Sequence, residues 1–265
     1  MGKRSSFVSA WTSAAVTAAL AFGFGGTGPA QATVNLVQNG DFTLTPLSSP
    51  GGYLCQTGVS TNCTTEKTNV TDWLSTCTSD CGVSSTAASL LFNGTNGGAF
   101  NGNRGLWAFT GLAGYTGNYV AIDGDPKYSS AIYQTIDGLT VGTRYNVTFE
   151  QAAAQQNTLN GATTEWWGVS LGGVTQNSTT MDNPSHSFVG WYAQTLQFTA
   201  TATSEVLNFQ GHGTPGGEPP IALLADVSVL AAPEPSTWAM MALGFVGLGL
   251  AGSRRFRKRV VPFAA

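Results

Sequence analysis

The sequence predicts an all-β fold, a β-sandwich or jelly roll, for the central part of the chain. Short runs rich in Val, Ile, Phe, Tyr and Trp are separated by Gly, Asn, Asp and Pro, and no long apolar period of 3.6 residues occurs there. Such a series of short strands is typical of two packed sheets. The predicted strands are 34–41, 70–75, 119–122, 131–136, 144–151, 166–171, 191–200, 205–210 and 221–230. Residues 50–105 are the least regular and are predicted to form long loops.

The chain begins with the three parts of a secretory signal peptide. Residues 3 and 4 are basic, residues 7–26 are apolar and small, and Ala30-Gln31-Ala32 is a cleavage site with Ala30 and Ala32 at its small positions. The alternative is an uncleaved N-terminal helix, which several Gly residues and Pro29 disfavour. We therefore expect a signal peptide (1–32), one β-sandwich domain (33–232) and a C-terminal segment (233–259).

Charge excludes one class of partner for the domain. The whole chain has a net charge of −3, but most of its basic residues lie in the two terminal segments. Between residues 33 and 232, four Lys and Arg face thirteen acids, so the net charge is 4 − 13 = −9. A domain this acidic has no electrostatic footprint for DNA or RNA, so no nucleic acid is expected as a partner.

Four cysteines, Cys55, Cys63, Cys77 and Cys81, cluster in the irregular region. In an exported protein an even-numbered set predicts disulfides, here two of them, and three connectivities are open. Short loops close easily, which favours Cys55–Cys63 with Cys77–Cys81. Zinc binding is disfavoured because the spacings are not those of Cys-x-x-Cys knuckles.

Motifs along the domain resemble those of a known fold family. The run 35–42 (Asn-Leu-Val-Gln-Asn-Gly-Asp-Phe) is similar to the opening strand of many PEP-CTERM and choice-of-anchor proteins. Later runs match in the same order, among them 142–149 (Gly-Thr-Arg-Tyr-Asn-Val-Thr-Phe) and 223–229 (Leu-Leu-Ala-Asp-Val-Ser-Val). The resemblance implies a galactose-binding-like jelly roll, the architecture of many carbohydrate-binding modules.

The same resemblance implies a candidate calcium site at Asp41 and Asp226, and no other cofactor. Both positions lie near the structural calcium of related jelly rolls. Two departures weaken it, because Thr43 stands where the family often has Glu, and Ala225 replaces the first Asp of an Asp-Asp-Val run. The alternative that these departures favour is that the two carboxylates cap a turn and a strand end.

Strand alternation assigns two tryptophans to outward faces. In the strand 191–200, Tyr192, Leu196 and Phe198 share the apolar face, so Trp191 points away from the core; in 166–171 the same argument leaves Trp166 outward. An exposed indole offers a flat apolar surface that the C–H face of a sugar covers, and polar neighbours bind the hydroxyl groups. The predicted ligand-binding residues are Trp166, Trp191, Asn208 and Gln210. The alternative is that the two indoles lie under loops.

The sequence offers little for catalysis. Both histidines, His186 and His212, are expected in loops without a neighbouring nucleophile. No Gly-x-Ser-x-Gly elbow, His-Glu-x-x-His helix or phosphate-binding Gly-rich loop is present. Glu150 and Glu165 on consecutive predicted strands are the one carboxylate pair for glycoside hydrolysis. Because Glu150 is expected on an outward face, we predict that the protein is not an enzyme.

The C-terminal segment has the length and polarity of a membrane span. Nineteen residues, 235–253, carry no charge and as a helix would extend about 28 Å, close to the ~30 Å core of a bilayer. Trp238 stands at one end and the basic cluster 254–259 at the other, which places that cluster in the cytoplasm. We predict a transmembrane helix over 236–253; a buried core helix would be shorter and amphipathic.

Pro233-Glu234-Pro235, the apolar run and the basic cluster, in that order, resemble the PEP-CTERM sorting signal of Gram-negative bacteria. In that family a membrane protease-transpeptidase, exosortase, recognises the signal and is thought to cut near the Pro-Glu-Pro. The resemblance implies export across the inner membrane, with exosortase and that membrane as partners. One departure is the extra run 260–265. The alternative is an ordinary C-terminal anchor.

Together these features predict an exported, exosortase-sorted protein of the cell surface or extracellular matrix. Its domain is expected to bind or organise extracellular polysaccharide without catalysis. The competing hypotheses are a structural envelope or biofilm matrix protein without a glycan site and, more remotely, a glycan hydrolase.

Overall fold

The computed structural model describes residues 34–45, 52–54, 67–68, 70–76, 89–93, 105–128, 130–217, 219–233 and 241–248. The chain divides into two compact units, Met1–Ala32 and Thr33–Ala265. All of the described residues belong to the second unit. The predicted cleavage site and all four cysteines lie outside the described residues, so the predictions of a signal peptide and of two disulfides stay predictions.

Over the described residues thirteen strands form two sheets. They are β1 (Gly52–Leu54), β2 (Lys67–Thr68), β3 (Leu74–Ser75), β4 (Ser89–Asn93), β5 (Asn118–Asp123), β6 (Ala131–Asp137), β7 (Arg144–Gln155), β8 (Thr163–Leu171), β9 (Val174–Asn177), β10 (Met181–Asn183), β11 (Phe188–Thr199), β12 (Ser204–Thr214) and β13 (Pro220–Ala231). Sheet A has the order β11-β7-β13-β5-β4-β1-β2, and sheet B has the order β10-β8-β12-β6-β3 with β9 paired to β8. The predicted all-β sandwich is confirmed at this level.

Side-chain alternation along the long strands builds one core between the sheets. In β7, Tyr145, Val147 and Phe149 are buried while the residues between them are half-buried on the other side. Strand β12 repeats the pattern with Leu207 and Phe209 from sheet B. These side chains join a single buried cluster, and each contributes roughly 1.5–3 kcal/mol by leaving water. The inward face predicted from the sequence is therefore the core face.

The predicted first strand, 34–41, is wrong. Asn39 and Phe42 have positive φ angles of 51° and 56°, which end an extended conformation and make a turn at Asn39-Gly40. The segment is instead held against the end of β13, where the Leu36 N–H donates to Val229 O at 3.0 Å. The Asn35 side-chain oxygen accepts a hydrogen bond from the Val229 N–H at 3.0 Å.

The irregular region contains more strand than the sequence predicted. Strands β1, β2 and β4 lie within 50–105, and β4 pairs with β5 to extend sheet A. The short strands β9 and β10 were also missed. Both pair with β8, and at 4 and 3 residues they are too short for an alternation to be detected.

In the described part of the chain, one helix, α1, covers residues 241–248 within the predicted transmembrane segment 236–253. The rest of that segment lies outside the described residues. Among the residues that the structure describes, no helix has both the length and the apolar character needed to cross a membrane. The transmembrane helix therefore stays a prediction.

Candidate functional site

The outer face of sheet B, meaning the side turned away from the core, carries a stacked pair of rings. Trp166 in β8 and His212 in β12 are direct cross-strand partners. Their ring centroids lie 5.4 Å apart with an interplanar angle of 12°, an offset stack. Both side chains are half-buried. Partial burial lowers the pKa of His212, so the imidazole is neutral at pH 7.

A glycine makes room for this pair. Gly168 follows Trp166 by two residues and lies on the same face. A Cβ added to Gly168 would lie 2.8 Å from His212 Nε2 and 3.8 Å from Asn177 Oδ1. The imidazole therefore leans over the glycine backbone, and Asn177, the cross-strand partner of Gly168, borders the ring pair.

Polar side chains continue the face across the sheet. Asn208 and Gln210 precede His212 at intervals of two on β12, so all three point outward and are half-buried. Asn208 has Ser170 of β8 on one side and Tyr133 of β6 on the other. From β8 through β12 and β6 to β3 the face crosses three strand spacings, about 14 Å.

An open cleft borders this face on the β3 side. Its volume is about 890 Å³. It lies beside Thr135 and Leu74, which continue the outer face of sheet B, and Leu74 is 42 % exposed. The lining residues are Gln38, Leu44, Thr45, Val70, Thr71, Asp72, Trp73, Leu74, Gln134, Thr135 and Asp137.

Three of the four predicted ligand-binding residues share this face, and the fourth does not. Trp166, Asn208 and Gln210 lie on sheet B, whereas Trp191 lies on β11 of sheet A. Trp191 does point away from the core, as expected. However, the segment 105–117 covers it, and its Nε1 donates to Thr110 O at 2.9 Å.

Trp191 belongs to a second apolar cluster on the outer face of sheet A. Its ring centroid lies 5.7 Å from that of Tyr119 and 6.4 Å from that of Phe188. Phe109 from the covering segment stacks on Tyr119 at 5.0 Å. The cluster also includes Leu106, Leu112 and Tyr115 of that segment. The indole is thus a packing residue under a loop.

The residues around Asp41 and Asp226 do not fit a calcium ion. The Tyr115 hydroxyl lies between them: it is within hydrogen-bond distance of Asp41 O (3.1 Å) and Asn118 O (3.0 Å), and it accepts from the Asp226 N–H at 3.3 Å. One Asp41 carboxylate oxygen accepts hydrogen bonds from the amide and hydroxyl of Thr43. Calcium takes six to eight oxygen ligands, whereas here the Tyr115 hydroxyl binds the main chain of both residues and one Asp41 carboxylate oxygen is already used by Thr43.

For Asp41 this arrangement supports the capping role that was the alternative, because its carboxylate closes a turn on Thr43. Asp226 sits at a β-bulge in β13, with a positive φ of 50°. Burial raises the pKa of Tyr115, so its hydroxyl stays protonated. Among the described residues, no group of three or more His, Cys, Asp or Glu side chains is placed to hold a metal.

The carboxylate pair considered for hydrolysis is not assembled. Although β7 and β8 are consecutive, they lie in opposite sheets. Glu150 is on the outer face of sheet A, where burial and the nearby Asp226 raise its pKa, whereas Glu165 is fully buried inside the sandwich. The two carboxyls therefore face different environments and cannot flank one bond.

The histidines correct another expectation. His186 is exposed in a turn, where it hydrogen-bonds Asn160 and packs on Trp107 with centroids 4.5 Å apart. His212, expected in a loop, is in β12 and forms part of the ring pair. The period-two series Asn208, Gln210, His212 was the signal that could have placed it.

Several solved structures are distantly similar to the chain, and no protein with a curated description matches it. TmCBM61 in complex with β-1,4-galactotriose is 11% identical, with a TM-score of 0.30 over 61% of this chain and 90% of that one. CBM35 from Paenibacillus barcinonensis is 18% identical, with a TM-score of 0.28 over 54% and 98%. The K1 cleaved adhesin domain of Lys-gingipain from Porphyromonas gingivalis is 12% identical, with a TM-score of 0.36 over 62% and 92%. Scores this low support no conclusion about the ligand of this chain.

The C-terminal segment gives a clear family match. The described part of the domain ends at Pro233, two residues after β13. Residues 231–258 match the family model of the PEP-CTERM protein-sorting motif. The match spans Pro233-Glu234-Pro235, the apolar run and most of the basic cluster, so the predicted resemblance is confirmed. The chain thus carries a PEP-CTERM protein-sorting motif at its C-terminus.

Proposed function

We propose that this protein is exported and binds extracellular polysaccharide, without catalysis, through the outer face of sheet B. The observation that carries the proposal is the meeting of Trp166, His212 and Gln210 on one face that no described segment covers. The ring pair offers apolar surface to sugar C–H groups, and the surrounding amides and hydroxyls match sugar hydroxyl groups.

The shape of the face suits a chain better than a small molecule. The polar rows run about 14 Å across the strands, from the ring pair past Asn208 and Tyr133 to the cleft beside Leu74. The adjoining Asp137 and Asp182 are exposed and add negative charge. We therefore expect a neutral or basic polymer, held at several points, with the indole as its main anchor.

The sorting motif supports the cellular side of the proposal. The signal peptide 1–32 would be removed on export, and 236–253 would hold the protein in the inner membrane with the domain outside. Exosortase would then cut near Pro233-Glu234-Pro235 and release a galactose-binding-like jelly-roll domain to the cell surface or extracellular matrix. Intact-mass analysis of the surface protein tests this step: retention of residues 254–259 would exclude processing.

The binding test uses the full chain, exported from a bacterial host and purified in detergent. It would be titrated against a panel of polysaccharides that includes the exopolymer of the source cells. We expect saturable binding that Trp166→Ala weakens at least about tenfold, or ~1.4 kcal/mol. Trp191→Phe is the matched control, because it keeps the ring in the covered cluster and should bind normally.

A second variant changes the face without removing an aromatic side chain. Gly168→Ala should push the end of the His212 side chain aside, disrupt the ring pair and weaken binding, while the melting temperature stays nearly constant. A folded wild-type chain that binds no polymer, or equal binding by Trp166→Ala, would reject the proposal in favour of a structural role.

A further inference from the structure

The cleft on the β3 side of sheet B is built by three separate pieces of the chain. They lie within residues 38–45, 70–74 and 134–137, and the last piece is part of β6. The volume of about 890 Å³ falls in the range of about 300–1,000 Å³ that is usual for small-molecule sites. The cleft therefore has room for part of a polymer that also contacts the ring pair at the other end of the face.

A buried amide joins two of these pieces to β6. Gln134 is 4 % exposed. Its side-chain oxygen accepts a hydrogen bond from the Gln38 N–H at 2.8 Å, and its Nε2 donates to Gln38 O at 2.9 Å and to Asp72 O at 3.0 Å. Both hydrogens of the amide are thus used within the protein.

A second amide ties the same two pieces to each other. The side-chain oxygen of Asn39 accepts from the Leu44 N–H at 2.9 Å, and its Nδ2 donates to Leu44 O at 3.1 Å and to Thr71 O at 2.8 Å. Trp73 Nε1 adds a hydrogen bond to Asn39 O at 3.0 Å. A cleft held in this way loses little conformational freedom when a ligand enters it, so it is pre-organised.

The charged side chains that line the cleft all have one sign. Asp72 and Asp137 are both exposed, and in the described part of the chain neither carboxylate has a hydrogen-bond or ion-pair partner. Among the described residues that line the cleft there is no Lys, Arg or His. Such a cleft attracts a cationic ligand and repels an anionic one.

Apolar surface lies beside these carboxylates. Leu44 is 56 % exposed and Leu74 is 42 % exposed, and both line the cleft. Leu74 is also the cross-strand partner of Tyr133, so the apolar surface continues onto the outer face of sheet B. A sugar ring with an amino group fits both features, because its C–H groups cover apolar side chains and its ammonium group pairs with a carboxylate.

We propose that the cleft is a second subsite for the polysaccharide and that it selects sugar units with a free, protonated amino group. The inference rests on the proposed function, because one polymer would lie across sheet B from the ring pair to the cleft. A uronic acid unit would be repelled by Asp72 and Asp137, and an N-acetylated unit would bring them no positive charge. The expected ligand is therefore a hexosamine polymer with free amino groups.

The test compares oligomers of glucosamine and of N-acetylglucosamine that have the same linkage and length. The full chain in detergent would be titrated with each by calorimetry, at low ionic strength and at a pH where the sugar amine is protonated. We expect the glucosamine oligomer to bind roughly tenfold more tightly, the combined effect of two exposed ion pairs. Added salt should reduce this preference, because it screens exposed charges.

Two conservative variants locate the selectivity. Asp72→Asn and Asp137→Asn should each weaken binding of the glucosamine oligomer by roughly two- to fivefold and leave binding of the N-acetylated oligomer unchanged. Asn suits position 72, where φ is 69°, because Asn tolerates the left-handed region. Asp226→Asn is the matched control: it removes an exposed acid that also has a positive φ, 50°, but belongs to sheet A, and it should bind both oligomers normally.

The outcomes separate this inference from the proposed function. If Trp166→Ala weakens binding of both oligomers while Asp72→Asn and Asp137→Asn bind like the wild type, the polysaccharide face stands and the cleft subsite is rejected. Equal weakening by Asp226→Asn would mean that the net charge of the domain attracts the amine. Equal affinity of the wild type for the two oligomers, or binding of neither while another polysaccharide binds, would also overturn the subsite.

Discussion

The two outer faces of the sandwich share one sequence pattern, but a loop segment covers one of them and no described segment covers the other. Each presents an outward tryptophan on a strand with polar neighbours, Trp191 on sheet A and Trp166 on sheet B. On sheet A the segment 105–117 brings Leu106, Phe109, Leu112 and Tyr115 over the strand, and the indole joins an apolar cluster. On sheet B no described segment covers the indole, which stacks on His212.

The difference shows what period-two alternation can and cannot determine. Alternation assigns a side chain to a face, because successive residues of a strand point to opposite sides. Whether that face is covered depends on a loop elsewhere in the chain. In sheet A, Ala152, Ala154 and Ala225 present small side chains outward, which lets aromatic residues lie on the sheet. The prediction that Trp191 binds a ligand was made from alternation alone, which could not show that the segment 105–117 covers this face.

The largest expected effect comes from removing the two indoles in turn. Trp191→Ala should lower the free energy of unfolding by about 2–4 kcal/mol, because it leaves a cavity among Tyr119, Phe188 and Phe109. Trp166→Ala should cost at most about 1 kcal/mol, since it removes one half-buried stacking contact on a face that no described segment covers. Urea unfolding followed by circular dichroism measures both. Equal losses of stability would mean that Trp166 is packed as tightly as Trp191 and that sheet B is not an open face.

A second, smaller effect tests how the covering segment is fixed to sheet A. A Cβ at Gly117 would lie 2.4 Å from the Tyr115 ring and 2.7 Å from Asp41 O, so Gly117→Ala must displace the phenol that bonds to Asp41 O and Asn118 O. We expect a loss of roughly 2 kcal/mol in the free energy of unfolding. Gly190→Ala is the control, since nothing lies within 4 Å of its added Cβ. If both variants were as stable as the wild type, Tyr115 would not hold the segment.

Particular residues show how far the sequence determined the structure. The alternation of Tyr145, Val147 and Phe149 placed β7 and its core face, and the same argument placed β12. It failed at 34–41, where the positive φ of Asn39 and Phe42 turns a strand-like apolar run into a turn. It also could not show that the consecutive strands β7 and β8 lie in opposite sheets, which separates Glu150 from Glu165.

Strand alternation also predicted part of the candidate glycan face. The outward positions of Trp166, Asn208 and Gln210 were predicted correctly, because these residues alternate with clearly apolar residues along their strands. His212 was missed because the Gly residues on both sides of it suggested a loop, although they are there for close packing: a Cβ at Gly211 would lie 2.4 Å from the Ile122 side chain. Tertiary contact, not local preference, fixed that part of the strand.

The two faces should also respond to pH with opposite signs. On sheet A, burial and Asp226 raise the pKa of Glu150 above 4.5, so the folded protein binds this proton more tightly than the unfolded chain. The stabilisation is complete below pH 4.5 and is lost as pH rises through the folded-state pKa. Glu150→Gln should remove this loss from the pH profile of the melting temperature. An unchanged profile would mean that neither burial nor Asp226 raises the pKa of Glu150 in the folded protein.

On sheet B the smallest effect has the reverse direction. Burial lowers the pKa of His212 below 6.5, so the unfolded chain binds this proton more tightly. Its contribution to stability is present above pH 6.5 and is lost as pH falls through the folded-state pKa. His212→Gln should flatten the melting-temperature profile in that range. The difference between the variant and the wild type separates the contribution of His212 from that of the other ionisable groups. Because His212 is half-exposed, a shift of more than a few degrees would contradict an open face and would mean that sheet B is covered as sheet A is.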